Sequence, residues 1–170
     1  MNLSLRYKEK LVRLRAFLGM ASYKDWTHHY STKSLTPSHK KLSVKLLEQA
    51  ISVGDVDRDM VPYLRKINTF PTILTLFSCT GHPDRTLYGS GYLAVQFISE
   101  DLQSNAHRYM MQSLGIDEIN NYQAITINAP KPEQYVIESD WRPNCTTFRW
   151  RHRDDMDLLL NHLLYFLKNS

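Results

Sequence analysis

The chain changes from helical to strand-like patterning near residue 70, and this change constrains the fold more than any other feature of the sequence. Before it, apolar residues recur at helical spacing, as in Leu42, Leu46 and Leu47. Thr72 to Cys79 is instead an apolar run rich in β-formers, which is typical of a strand buried on both faces. Helical and strand-like segments in this order predict an α+β domain, with a mostly antiparallel sheet covered by helices.

Capping and turn residues set the expected limits of several helices. Thr36 and Pro37 form an N-cap and first-turn pair. Ser99 and Gly115 bracket a later helix as its N-cap and its C-terminal stop. Pro62 is expected to bend or restart the helix in which it lies. We therefore expect helices over 1–20, 36–51, 57–68, 99–114 and 154–168, and strands over 72–79, 91–98, 122–128, 134–139 and 146–151.

Length and composition indicate one soluble domain. A chain of 170 residues is long enough to bury a core, and no apolar run approaches the roughly 20 residues that cross a bilayer. The segment 1–20 mixes Arg and Lys with apolar residues, which indicates an amphipathic helix rather than a signal peptide. We expect a single domain over 1–170, with the helix and loop of 1–35 appended to its core.

The two cysteines and the net charge bear on the location and partners of the protein. Cys79 and Cys145 are too few and too far apart for a disulfide scaffold, and they suit a reducing cytoplasm. The formal net charge of +4 permits a polyanionic partner without requiring one. The expected protein is therefore cytoplasmic, with no membrane attachment, and its oligomeric state is left open.

The first predicted strand ends in a polar segment, residues 77–82 (Phe-Ser-Cys-Thr-Gly-His), which we call the strand-end motif. Loops held by rigid strands are where binding residues concentrate. Ser78, Thr80 and Gly81 offer hydroxyls and close backbone approach to a ligand, or alternatively a polar turn that closes the strand. Cys79 is either a pocket thiol or a small buried hydrophobe. These four residues are the candidate ligand contacts.

His82 is the candidate catalytic residue of the strand-end motif. Imidazole titrates near neutral pH, so it can act as a general acid or base or contact an anion, although a histidine in a surface turn is the alternative. Cys79 and His82 also have the spacing of metal ligands. A structural zinc site needs two more ligands, and the remaining candidates are scattered, so no metal is predicted.

The stretch from Gly54 to Gly81 resembles the tRNA wybutosine-synthesis methyltransferase family (wybutosine-synthesising protein three and its archaeal relatives). That family has a Gly-x-Val-Asp-x-Asp helix start, an Ile-Asn helix end and a strand closing in Ser-Cys-Ser-Gly-Arg. The matching residues are Gly54, Val56, Asp57, Asp59, Ile67, Asn68, Pro71, Thr75, Ser78, Cys79 and Gly81.

The resemblance implies methylation of a hypermodified guanosine beside the tRNA anticodon, with S-adenosylmethionine as the methyl donor. It places the cofactor or another nucleotide-like ligand at Ser78, Cys79, Thr80 and Gly81, with His82 as proton carrier or substrate contact. The chain departs from the family in four ways. His82 replaces an arginine, and Thr80 replaces a serine. Only residues 83–90 separate the motif from the next strand, where the family has an additional strand with a Trp-Leu-x-x-x-His signature, and a later Arg-Ser-x-His segment has no counterpart. These departures favour the alternative of a non-enzymatic protein that binds a small nucleotide or another protein.

A second constellation, residues 148–153 (Phe-Arg-Trp-Arg-His-Arg), alternates rings with arginines. In a strand, this spacing places Arg149, Arg151 and Arg153 on one face and the three rings on the other. Guanidinium groups neutralise phosphates and aromatic rings stack on unpaired bases, so the segment is a candidate RNA-binding surface. The alternative is an amphipathic strand with Trp150 in the core and arginines facing water.

Overall fold

The computed structural model describes residues 33–81, 91–116, 120–121 and 134–170, and it confirms the predicted α+β class. Four helices and five strands lie within these ranges. Their order along the chain is α1 (Pro37–Ser52), α2 (Val61–Asn68), β1 (Ile73–Cys79), β2 (Gly91–Phe97), α3 (Glu100–Leu114), β3 (Asn120–Asn121), β4 (Tyr135–Ser139), β5 (Cys145–Trp150) and α4 (Arg153–Asn169). The helix predicted over 1–20 and the strand predicted over 122–128 lie outside the described residues.

The strands form one sheet in the order β1-β2-β5-β4-β3. The pairs β1–β2, β2–β5 and β5–β4 are antiparallel, and the two-residue strand β3 runs parallel to β4. The predicted mostly antiparallel sheet is therefore confirmed. Because β1 and β5 are both antiparallel to β2, they point the same way, and their carboxyl ends lie at one end of the sheet.

The two faces of the sheet differ in what covers them. Leu93 of β2 lies opposite Phe148 of β5, which in turn lies opposite Ile137 of β4. These three side chains are fully buried in the larger core cluster with residues of all four helices, and we call this side the helix-covered face. Cross-strand partners project to the same side, so the alternate positions form a second face.

Local capping signals locate the helix ends as predicted. The hydroxyl of Thr36 accepts a hydrogen bond from the backbone N–H of His39, at 3.3 Å, and Pro37 opens α1. The hydroxyl of Ser99 likewise accepts from the N–H of Leu102, at 3.2 Å. Gly115 ends α3 with φ 67°, a left-handed conformation that glycine adopts without a steric penalty.

Two predicted boundaries are wrong. The helix expected from Asp57 begins only at Val61, with Pro62 in its first turn, because residues 57–60 form turns that leave the Asp57 side chain available for another contact. The last strand ends at Trp150, one residue before the predicted limit at Arg151, and α4 begins three residues after Trp150, at Arg153.

Candidate functional site

Thr80, directly after β1, is held by the carboxylate of Asp57. Its backbone N–H donates to Oδ2 of Asp57 at 2.8 Å, and its hydroxyl donates to the same oxygen at 3.2 Å. Thr80 is buried, so an unpaired N–H there would be costly. The carboxylate therefore fixes the backbone of the strand-end motif from a position 23 residues earlier in the sequence.

Trp150 fixes the same residue from the other side. Its indole N–H donates to the carbonyl oxygen of Thr80 at 3.2 Å, and its ring is fully buried. Gly91 of β2 pairs with Trp150, and a Cβ at position 91 would lie 2.0 Å from the indole nitrogen. Residue 91 must therefore be a glycine, because the Trp150 ring occupies the space that a Cβ would take.

Two more contacts involve residues that carry the family resemblance. The side chain of Asn68 donates to the Thr75 hydroxyl at 2.7 Å and accepts from the Thr75 N–H at 3.0 Å, both in the buried interior. Asp59 forms an ion pair with Arg153 at the start of α4. The pairs Asp57–Thr80 and Asp59–Arg153 thus tie the turn before α2 to the carboxyl end of β1 and to the start of α4, whereas Asn68–Thr75 joins the end of α2 to the first half of β1.

The predicted ligand contacts at residues 78–81 do not all face one way. The register places Ser78 opposite Leu93, on the helix-covered face, and Cys79 opposite Tyr92, on the second face. Ser78 is half-buried, and its hydroxyl makes no hydrogen bond to any residue that the structure describes. Gly81 has φ 101°, which few residues with a side chain adopt. The Ser78 hydroxyl is therefore available to a ligand, whereas the N–H, hydroxyl and carbonyl groups of Thr80 are all engaged.

On the second face, Cys79 adjoins a charged and aromatic cluster. Tyr92 lies between Cys79 and Arg149 in the register, and the Arg149 guanidinium lies 5.3 Å from the Tyr92 ring centroid. Nε of Arg149 donates to a carboxylate oxygen of Glu138 at 2.8 Å. Burial, reinforced by the nearby thiol, raises the pKa of Tyr92, so its phenol is neutral at physiological pH. This cluster offers a ring and a guanidinium for stacking.

The three arginines predicted to share one strand face do not do so. Arg149 lies in β5, but Arg151 follows the end of the strand and Arg153 begins α4. Arg149 is paired with Glu138 and Arg153 with Asp59. The prediction assumed that the strand continued through residue 153, whereas the chain leaves the sheet after Trp150, and α4 begins at Arg153. A common RNA-binding face on one strand is therefore not formed.

The candidate catalytic residue His82 lies outside the described residues, so its predicted role is not tested. Within the described ranges, no three His, Cys, Asp or Glu side chains are grouped as metal ligands. Cys145, the second cysteine, is buried in β5, and burial raises its pKa to about 12, so its thiol stays protonated. None of the described helices is long and apolar enough to cross a bilayer.

Sequence reasoning missed the parts that Asp57, Tyr92 and Glu138 play in this site. Asp57 belonged to the resemblance, but it was interpreted as the start of a helix. Tyr92 and Glu138 lie one position from Leu93 and Ile137, so they belong to the other face of the sheet, but the face of a residue does not identify its neighbours. Their positions beside Cys79 and Arg149 depend on strand order, which the chain's local pattern does not encode.

Comparisons with known proteins add little to this description. No family model matches the chain, and no curated protein matches it. Among solved structures, the chain is similar to the PH1069 protein from Pyrococcus horikoshii, with 14% sequence identity and a TM-score of 0.42. The match covers 88% of this chain and 97% of that one. A likeness of this size does not assign a function.

Proposed function

We propose that this protein is a divergent relative of the S-adenosylmethionine-dependent tRNA wybutosine methyltransferases. It binds a nucleotide-like ligand at the carboxyl end of β1, through Ser78 and Gly81, with Cys79 on the opposite face of the strand, and takes RNA as its substrate. The proposal joins the family resemblance between Gly54 and Gly81 to the geometry of that end of the sheet. We expect the protein to act in the cytoplasm, where cysteine thiols are kept reduced.

One observation carries the proposal. The two halves of the resemblance, the acidic turn before α2 and the strand-end motif, contact each other through Asp57, which matches the family pattern, and Thr80, which stands where the family has a serine. Asn68 and Thr75, which both match the family pattern, form a second reciprocal pair. Residues that match a family pattern at a distance in sequence, and that bond to each other in the fold, support kinship better than matched letters alone.

The groups at this end of the sheet fit a nucleoside ligand. The Ser78 hydroxyl has no hydrogen-bond partner among the described residues and can bond a ribose or a carboxylate. On the second face of the sheet, opposite to Ser78, Tyr92 and the Arg149 guanidinium provide planar surfaces beside Cys79, on which a base of the RNA substrate can stack. S-adenosylmethionine, when bound, supplies an electrophilic methyl group for transfer to a nucleophile of the substrate.

The residues of the chain position the reactants rather than react with them. Methyl transfer from a sulfonium needs the donor and acceptor to be aligned, so few reactive side chains are required. Thr80, held by Asp57 and Trp150, gives the motif a fixed backbone on which Ser78 and Gly81 are presented. His82 follows directly in the sequence and is proposed to carry the proton released by the acceptor or to contact the substrate.

Calorimetric titration with S-adenosylmethionine tests the cofactor. The wild-type protein is compared with a Ser78→Ala/His82→Ala double variant and with a Ser52→Ala/His162→Ala control. The control removes the same two groups from α1 and α4, away from the motif. We expect micromolar binding by the wild type and the control, and binding at least about tenfold weaker in the double variant, which is the loss of roughly one charged or two neutral hydrogen bonds.

Transfer of labelled methyl groups to tRNA tests the reaction. Wild-type protein that binds the cofactor and labels tRNA lacking the mature wybutosine base supports the methyltransferase. Binding without labelling supports the alternative, a non-enzymatic protein that binds a small nucleotide. The absence of heat with S-adenosylmethionine in all three proteins would overturn the cofactor assignment.

A further inference from the structure

The turn between β4 and β5, residues 140–144, is held by several hydrogen bonds. The Asp140 carboxylate accepts from the backbone N–H of Arg142 at 3.2 Å and from its Nε at 2.7 Å. The N–H of Asp140 donates in turn to the carbonyl of Cys145 at 3.1 Å. An aspartate that bonds the backbone two residues ahead is a recurrent way of fixing a turn. This turn is therefore a rigid support.

Contacts with the sheet hold the turn in place. The buried Gln96 of β2 donates from its side chain to the carbonyl of Pro143 at 3.0 Å. The Arg142 guanidinium lies over the Phe77 ring of β1, 5.8 Å from its centroid. Asn144 adopts φ 55°, a left-handed conformation that asparagine tolerates better than most residues. The turn is thus attached to β1 and β2.

Trp141 projects from this support with 63% of its surface exposed. The ring does not contribute to the core, whereas the other tryptophan among the described residues, Trp150, is fully buried. A large aromatic ring that is exposed on a fixed turn loses little conformational entropy when it binds a partner. The arrangement is therefore suited to recognition.

We propose that Trp141 stacks on an unpaired base of the RNA substrate. This inference rests on the proposed function, which supplies the RNA. β5 begins at the Trp141 turn and ends beside Thr80, so the two sites lie at opposite ends of the sheet, separated by about 20 Å for six residues of strand. An RNA held at both sites crosses the sheet over several nucleotides, and Trp141 anchors the part remote from the strand-end motif.

The surroundings of Trp141 favour a base over a protein surface. Its neighbours in the turn are Asp140, Arg142, Pro143 and Asn144, so the exposed apolar area is the indole and one proline ring among polar groups. A stable protein interface needs about 800 Å² on each partner, with several buried anchors. One ring suffices for one stacked base, and the net charge of +4 permits a polyanion.

Fluorescence titration tests the stacking directly. The probe is a short single-stranded oligoadenylate, added at low salt. The protein carries Trp26→Phe, so that its fluorescence comes from the exposed Trp141 and the buried Trp150. We expect the oligonucleotide to quench the emission, and Trp141→Phe to remove the quenching. In a competition assay, Trp141→Ala is expected to weaken RNA binding about tenfold, in line with the loss of one stacked base. Trp141 is exposed, so its removal is expected to leave the fold intact, which circular dichroism checks.

Tyr165 provides the matched control. It lies on α4 and is 61% exposed, so Tyr165→Ala removes a ring of similar accessibility from the helical layer. Unchanged RNA affinity in Tyr165→Ala together with the loss in Trp141→Ala supports the proposal. Equal affinities in Trp141→Ala and wild type would overturn it. Loss of self-association in Trp141→Ala without a change in RNA affinity would also overturn it and assign the ring to a protein contact.

The same preparations separate this inference from the proposed function. S-adenosylmethionine binding is measured on each variant by calorimetry, and Trp141→Ala is expected to bind the cofactor as the wild type does. Cofactor binding without any RNA binding by the wild type would overturn the role of Trp141 and leave the cofactor site standing. RNA binding that depends on Trp141, without cofactor binding, would support the inference and overturn the cofactor assignment.

Discussion

The indole N–H of Trp150 donates to the carbonyl of Thr80 across 3.2 Å, and the ring reaches this position because residue 91 has no side chain. This contact joins the end of β5 to the end of β1 across the intervening β2. It closes one end of the sheet around the strand-end motif. The stability of this end therefore depends on a glycine that carries no functional group of its own.

Gly91→Ala is expected to lower the free energy of unfolding by about 3 kcal/mol, near the upper end of the effect of overpacking a core. The added Cβ would lie 2.0 Å from the Trp150 indole nitrogen and 2.6 Å from the Thr80 carbonyl oxygen. Gly115→Ala is the control, because nothing lies within 4 Å of its Cβ and only its φ of 67° is strained, at about 1 kcal/mol. Urea denaturation measures both, and equal losses would show that Trp150 moves aside at little cost.

Asp57→Ala is expected to lower the free energy of unfolding by about 1–3 kcal/mol, because the buried N–H of Thr80 loses its acceptor. Asp57→Asn keeps an acceptor oxygen and is expected to recover part of this loss. Asp55→Ala removes an exposed carboxylate two residues away and is expected to change stability by no more than about 0.5 kcal/mol. Similar stabilities of the Asp57→Ala and Asp55→Ala variants would contradict the anchoring role.

His107 predicts a loss of stability in mild acid. It is buried on α3, with Nε2 2.7 Å from the Thr146 hydroxyl, and burial lowers its pKa from 6.5 to about 4. Below pH 6.5, His107 of the unfolded chain binds a proton, whereas His107 of the folded protein does not bind one until about pH 4. Stability therefore falls as the pH drops through this window. Between about pH 7.5 and about pH 5, this titration is expected to lower the free energy of unfolding by about 2 kcal/mol.

The measurement compares wild type with His107→Gln, whose amide can still bond Thr146 but does not titrate. Urea denaturation at several pH values is expected to give a steeper fall for the wild type, so that the two curves converge in acid. Other histidines and carboxylates titrate in both proteins and cancel in the difference. Parallel curves would show that His107 is protonated in the folded state at its ordinary pKa.

Elements with a local signal were predictable from the sequence. Thr36 and Ser99 each bond an N–H three residues ahead, and Gly115 supplies a left-handed stop, so the information lies within one turn of chain. β1 was predictable because its apolar run is long and contains β-branched residues. The strand-end motif was located for the same reason, since it follows the end of that strand.

Predictions that depended on distant partners were incomplete or wrong. The pattern from Asp57 onward is compatible with a helix, but the carboxylate bonds Thr80 instead, and the helix begins at Val61. Alternation through Arg149, Arg151 and Arg153 is compatible with one strand face. The chain leaves the sheet at Trp150, whose ring is buried against Gly91, and no local signal marks that point.

The sequence by itself determined where helices and strands form and which residues cap them, because those choices are set by neighbours along the chain. Only the tertiary structure decided that β5 lies between β2 and β4, that Cys79 and Ser78 face opposite ways, and that Asp57 and Trp150 both hold Thr80. Strand order and side-chain partners depend on hydrogen bonds and packing between segments far apart in the chain. These hydrogen bonds and packing contacts form only when the whole core has assembled.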